Sequence, residues 1–381
     1  MKILYLVIDG EITGGNIICL RIIEEALRRG HEAIINYSSE GKFTEIIREK
    51  GLKAYNIDTR RSFYLGSAIK LAYIIKKEGI NLAHSHTHLG GAFLIRLGGW
   101  LAGVPVITHA HLPDTLNANP FVKKYQFLLN WISSRFFCSR VIAVSENVKK
   151  GIIKQGIDVN KIAVVYNGVD SDNSKHAKST AEVRQEFGLK QNQPIVGEVG
   201  RLCESKGQHI LIKAAGKVVK HFPEAVFMVV GEDLEKKGEY KKKLMGLAED
   251  LGLKQQIIFA GYRPDICDLM NTFNLFVLSS ATEGLPVVIL EAMAVKNPVI
   301  TTPVGGNLEV VIDGETGTII PLNDANSLAE AIIHHLENPG ISKKMGQNGH
   351  ERVKQYFSLS QMTDKIMDIY KKTLDGFDYD G

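Results

Sequence analysis

Short apolar runs recur along the chain, each followed by a longer stretch whose apolar positions have helical spacing. Ile3–Ile8 reads as a strand and Asn16–Arg29 as a helix closed by Gly30. Ala33–Tyr37 and Lys53–Ile57 read as further strands, and Leu65–Glu78 as a helix ending at Gly79. Strand Leu82–Ser85, a helix near Gly91–Leu101, and strands Val104–Thr108 and Val141–Val144 continue the series. Strand and helix in alternation predict a parallel, doubly wound sheet.

The same rhythm restarts after the polar stretch Ser171–Thr180, which reads as a linker. Strands are expected at Ile195–Val199, Ala225–Val230, Gln256–Phe259, Leu275–Leu278, Val299–Thr301 and Gly317–Ile320, with helices between them. A chain of 381 residues accommodates two such domains, each with a sizeable core. The expected α/β architecture is therefore two Rossmann-like domains facing across a cleft, residues 1–170 and 171–359. Gln361–Leu374 has helical periodicity, and no tandem repeat is present.

Composition adds little to this picture. Apolar residues make up 44% and charged residues 23%, ordinary globular values. No run approaches the ~18 apolar residues of a membrane span, and no cleavage pattern follows the first strand. Cys19, Cys138, Cys203 and Cys267 are scattered, so a reduced, cytoplasmic protein is expected. Charge is uneven: residues 1–170 hold 22 Lys+Arg against 14 Asp+Glu, the remainder 24 against 28. A basic first half suits anionic headgroups or an anionic acceptor as well as plain solvent.

Candidate chemistry lies mostly in the second domain. Asn274–Ser279 ends as a buried strand would, Gly284 permits a tight turn, and Pro286 fits the first position of a helix. Glu283 thus sits in the turn and Glu291 inside the helix. N–H groups at such a helix start, around Gly284 and Leu285, suit an oxygen-rich ligand. Taken alone, the two acids read as a helix partner and a solvated surface residue. Upstream, Glu198-Val-Gly-Arg-Leu-Cys-Glu-Ser-Lys-Gly207 places Gly200, Arg201 and Lys206 after a strand. A guanidinium fork and a mobile ammonium suit a departing diphosphate. Gly14 and Gly15 open the first helix, where backbone amides can approach an anion. The chain has no G-x-G-x-x-G fingerprint after its first strand and no P-loop, which weighs against a dinucleotide dehydrogenase or a P-loop phosphohydrolase.

The string from Glu283 to Glu291 resembles the E-x7-E signature of glycosyltransferase family 4, retaining enzymes of the GT-B fold. Gly200-Arg-Leu-x-x-x-Lys-Gly207 is similar to that family's donor-phosphate clamp, in the expected order. The resemblance implies a retaining, metal-independent, hexosyltransferase-like enzyme acting on a nucleotide-diphosphate sugar, UDP-linked in preference to GDP-linked. It implies no cofactor and no nucleic-acid partner. Arg201 and Lys206 would hold the diphosphate, Glu291 the ribose, and Glu283 the sugar hydroxyls near the reacting carbon. Arg263 in Gly261-Tyr-Arg-Pro-Asp265 falls where the family places its nucleobase contacts, which implies a base or phosphate contact. Val144-Ser145-Glu146 and Tyr166–Asp170 resemble turns at an interdomain hinge, and the tail helix, residues 360–381, would pack back on the first domain. His111, six residues after Pro105, matches the family's sugar-contacting histidine, with His109 as the alternative. Gly14 and Gly15 would border phosphate or acceptor.

Three features compete with or extend that reading. His84, His86 and His88 alternate along one strand end, and His109 and His111 end the next. Zinc suits imidazoles, but no cysteine lies nearby in sequence and Asp114 is the nearest acid, so hydrogen-bonded strand-end histidines are the preferred reading and no metal is assigned. Asp170-Ser-Asp172 and Asp378-Tyr-Asp380 match D-x-D but lie at a linker and a chain end, and read as coincidence. Asn119–Phe137 is apolar, aromatic and flanked by basic residues. It reads as a core helix, with a membrane-interface helix as the alternative. The expected function is sugar transfer to a saccharide or lipid-linked acceptor in cell-surface polysaccharide or glycolipid synthesis, with peripheral contact to the inner face of the cell membrane. A sugar-nucleotide epimerase and a non-catalytic nucleotide-sugar binder are the alternatives.

Overall fold

The computed structural model describes residues 1–377 except 61–63, 88, 114–118, 172–177 and 235–237, and excluding the side chains of 89–91. His88, Asp114, Asp172, Asp378 and Asp380 lie outside the described residues. The chain divides into two compact units, Met1–Asn167 with Ser360–Gly381, and Gly168–Leu359.

The first unit is built on seven parallel strands. They are β1 (Lys2–Val7), β2 (Glu32–Tyr37), β3 (Lys53–Asn56), β4 (Leu82–His86), β5 (Val106–Ala110), β6 (Arg140–Ala143) and β7 (Ile162–Val164). Their order is β3-β2-β1-β4-β5-β6-β7. Leu4, Leu6, Ile34, Ala83 and Val106 pack against Leu71, Ile75 and Ile95 from two covering helices. Burial on both faces explains why these strands read as apolar runs. Strand β7 and the helix Lys42–Glu49 were not anticipated, being too short for a period to register. Strand β5 begins two residues later than expected, so His109 lies within it.

The helix Pro120–Phe137 corrects the core reading. Phe121 is 83% exposed, and Tyr125, Phe127, Leu128, Trp131 and Phe136 are all exposed, while Asn130, Ser133 and Ser134 are buried. The cause is a polar interior. Arg96, buried, donates to Thr108 Oγ1 at 3.1 Å and Ser133 Oγ at 3.0 Å, and Asn130 Nδ2 donates to the Gln155 carbonyl at 3.0 Å. The inward face is hydroxyl and amide because it satisfies a buried guanidinium and a carbonyl. The final helix, Leu359–Asp375, buries Met362, Ile366, Met367 and Tyr370 at helical spacing; within this unit Arg29 pairs with its Asp364.

The second unit carries six parallel strands, β8 (Ile195–Val199), β9 (Val226–Val230), β10 (Ile257–Gly261), β11 (Leu275–Leu278), β12 (Val299–Thr301) and β13 (Thr318–Ile319). Their order is β10-β9-β8-β11-β12-β13. Val196, Phe227, Val229, Leu275 and Ile300 pack against Leu211, Ala215 and Ile332. Helix begins inside the expected linker, where Ser179 and Glu182 form a capping box at the start of Thr180–Glu186. Ser145 caps the helix Glu146–Ile153 within the first unit. Strand order reverses between β1 and β4 in one sheet and between β8 and β11 in the other. Open α/β sheets bind ligands outside the carboxyl ends of strands at such switch points.

Candidate active site

At the switch point of the second unit, the loops after β8, β11 and β12 are tied into one frame. Ala281 N donates to the Ser205 carbonyl at 2.7 Å, Ser279 Oγ to the Gly207 carbonyl at 2.9 Å, and Gly306 N to the Gly284 carbonyl at 2.7 Å. Two glycines permit the close approach. A Cβ on Gly207 (φ +77°) would lie 2.2 Å from the Ser279 carbonyl oxygen, and one on Gly305 (φ +55°) 1.8 Å from that of Glu283. The frame brings Lys206 Nζ to 2.6 Å from Glu283 Oε1, with side chains 19% and 7% exposed.

Beneath this pair lies a second carboxyl. Glu198, on β8, is fully buried; its Oε1 accepts from Gln208 Nε2 at 3.0 Å, and Oε2 has no partner among the described residues. Burial pushes its pKa up to about 8, opposed by the nearby Lys206 and the Gln208 hydrogen bond and reinforced by Glu283. At neutral pH it is a neutral acid under an ion pair. Gly200 leaves room above it, since an added Cβ would contact Glu198 Oε1 at 3.4 Å and the Lys206 stem at 3.9 Å.

The remaining second-unit candidates are placed less decisively. Arg201 is half-buried in the β8 loop, and its carbonyl accepts from Gln208. Gly284, Leu285 and Pro286 are buried. Pro286 is the residue before the helix Val287–Ala294 rather than its first, and Glu291 is half-buried in that helix. Arg263 is already engaged by Glu186 and by Asp265 Oδ2 at 2.6 Å, which raise its pKa. A nucleotide would compete with two carboxylates for that fork.

In the first unit, Thr13 caps the helix Gly14–Arg28, and Asn16 Nδ2 donates to the Asp9 and Glu11 carbonyls at 2.6 and 2.7 Å. Gly14 is exposed, and a Cβ on Gly15 would lie 3.0 Å from His111 Cδ2, so glycine there lets the imidazole lie over the helix start. His111 Nε2 is 2.9 Å from His86 Nδ1. Parallel register pairs His84 with Ile107, which puts His84, His86, His109 and His111 on one face. The convergence thus includes His109 from the adjoining strand.

Sequence reasoning gave no role to Glu198 or Gln208, and held Gly305 only as part of Pro303–Glu309, a loop that resembles the family's donor side. Glu198 carried one signal: an ionisable residue inside an otherwise apolar strand. Gly305 carried only that resemblance, because its steric requirement comes from the carbonyl of a residue 22 positions earlier.

Two parallel doubly wound units are the architecture of the GT-B fold, and the following matches make the chain a glycosyltransferase of that class. Residues 12–173 match the family model described as Glycosyltransferase Family 4, and residues 179–352 that described as Glycosyl transferases group 1. The chain belongs to glycosyltransferase family 4. It is 29% identical over 350 residues to the Escherichia coli UDP-Gal:alpha-D-GlcNAc-diphosphoundecaprenol alpha-1,3-galactosyltransferase, covering 85% of this chain and 87% of that one. It is 26% identical to the Staphylococcus aureus capsular polysaccharide biosynthesis glycosyltransferase CapM, over 92% of both chains. Among solved structures it resembles Anabaena HepE in complex with UDP-glucose, with a TM-score of 0.86 and 26% identity over 98% of this chain and 100% of that one.

Proposed function

We propose that this glycosyltransferase moves a sugar from a UDP-sugar to an acceptor hydroxyl with retention of anomeric configuration. The product would be a cell-surface polysaccharide or a glycolipid. The observation that carries the reading is the Lys206–Glu283 pair, 2.6 Å apart and mostly buried at the switch point. As the diphosphate departs, negative charge grows on its oxygens. Lys206 would turn from Glu283 to that charge, beside Arg201, doing the work a metal does elsewhere. Glu283, released from the ammonium, would accept from sugar hydroxyls. Gly200, Gly284, Leu285 and Pro286 would shape the donor pocket, Glu291 would bind ribose, and His111 would contact the sugar, with Gly14 and Gly15 beside phosphate or acceptor. We give Arg263 no phosphate role, since Glu186 and Asp265 occupy it. Residues 1–170 form the proposed acceptor-side domain, with 360–381 packing on it, and 171–359 the donor domain. UDP in the names of the bacterial relative and the HepE complex supports the donor choice.

The exposed aromatic face of Pro120–Phe137, with Lys123, Lys124 and Arg135 around it, supports contact with an anionic membrane at the cytoplasmic face, where a lipid-linked acceptor resides. No helix among the described residues is long and apolar enough to cross a membrane.

Incubating the protein with labelled UDP- and GDP-sugars, with and without a lipid extract, tests the proposal. Label transferred to lipid or saccharide from a UDP-sugar supports it. An epimerised donor without transfer identifies an epimerase, and binding without turnover a non-catalytic binder; either result refutes the proposed activity.

A further inference from the structure

The proposed transfer reaction makes no use of a cluster of buried imidazoles. His84, His86 and His109 are all buried, and each offers one ring nitrogen within 4.8 Å of the other two. The hydrogen bonding divides these nitrogens unequally. His84 Nδ1 is engaged by Tyr370 Oη at 2.5 Å and His86 Nδ1 by His111 Nε2 at 2.9 Å. Nε2 of His84, Nε2 of His86 and both nitrogens of His109 have no hydrogen-bond partner among the described residues. A buried polar atom left without a hydrogen bond carries an uncompensated desolvation cost, and this cluster holds four.

We propose that His84 Nε2, His86 Nε2 and one nitrogen of His109 bind a first-row transition-metal dication, zinc being the type case, with water as a fourth ligand. The pattern of engaged nitrogens favours a cation over a trapped water. A ligating histidine commonly uses one ring nitrogen for the metal while a neighbouring group orients it through the other. Tyr370 does this for His84 and His111 for His86. Bonds of 2.0–2.1 Å in a tetrahedral site place ligand nitrogens roughly 3.3 Å apart, so the set of ring nitrogens, one per histidine, that lies within 4.8 Å needs to close by about 1.5 Å at most. That is within reach of side-chain rotation. The uncharged, all-nitrogen donor set excludes magnesium and calcium, which take oxygen ligands.

A cation here would also fix the His86 proton on Nδ1, aimed at His111 Nε2. The site would therefore set the tautomer of His111 without touching a sugar nucleotide. Tyr370 is on this account a positioning residue supplied by the final helix.

The test uses untagged full-length protein stripped with chelator and titrated with Co2+ and Zn2+ alone, so it needs no donor and fails independently of the proposed activity. Tetrahedral Co2+ gives intense visible ligand-field bands, and Zn2+ should displace them. His109→Gln should abolish the bands, and Tyr370→Phe should weaken binding about 10–100-fold through loss of the orienting hydroxyl. Absence of bands in the unmutated protein would overturn the proposal, whatever the folding of the variants. Equal Co2+ affinity in a folded His109→Gln protein would overturn it as well.

Discussion

Glu198 offers the sharpest test of the electrostatics under the donor site. Its carboxyl has a pKa near 4.5 in an unfolded chain and about 8 when folded, chiefly because burial disfavours the charged form. Between those values the folded protein holds a proton that the unfolded chain has released. Stability from this group is therefore complete below pH 4.5, declines as pH rises through the window, and is gone above about 8. At about 1.4 kcal/mol per pH unit the full window corresponds to about 5 kcal/mol, an upper bound. Glu198→Gln preserves the shape and the bond accepted from Gln208, but cannot ionise. Urea unfolding of both proteins at pH 5.5, 7 and 8.5 isolates the effect, since other titrating groups are common to both. The variant's stability relative to the unmutated protein should rise across that series by about 2–4 kcal/mol. Parallel pH profiles would refute the reasoning, because they would mean that Glu198 ionises at the same pH folded and unfolded.

Three further outcomes follow from the geometry. Lys206→Met strands a buried carboxylate; with Lys206 a fifth exposed, the cost should be about 2–3 kcal/mol, a melting temperature lower by roughly 4–12 °C. Adding Glu283→Gln should recover part of that loss, and transfer by Lys206→Met alone should fall about 10²–10³-fold. Gly305→Ala places a Cβ 1.8 Å from the Glu283 carbonyl oxygen at φ +55°, so calorimetry should find about 2–4 kcal/mol lost, with transfer reduced as Glu283 shifts. Phe121→Ser with Trp131→Ser should weaken binding to anionic phospholipid vesicles at least about 10-fold while leaving the melting temperature almost unchanged, both rings being exposed. Unaltered vesicle binding would remove the membrane contact from the proposed function.

The alternation of strands and helices was legible in the sequence because a parallel sheet covered on both faces needs uninterrupted apolar runs. Leu275–Leu278 and Ile195–Val199 were located to the residue, and the Gly79 helix stop is a left-handed cap that glycine adopts readily. The motif residues Lys206 and Glu283 were legible as candidates from the loops that carry them. Their 2.6 Å contact was not, because it depends on β8 and β11 being neighbours at the point where strand order reverses. Sequence periodicity misled at Pro120–Phe137, where an apolar composition suggested core. A buried arginine from another helix decided instead which side faces inward, since an unsatisfied guanidinium costs more than exposing aromatic surface. Local pattern thus determined which elements form and which residues cap them, through backbone propensity and burial along a single element. Tertiary structure alone decided the partnerships: Lys206 with Glu283, Glu198 beneath them, and His109 beside His84 and His86. Such contacts are set by strand order and register, and no local pattern encodes the distance between residues on different strands.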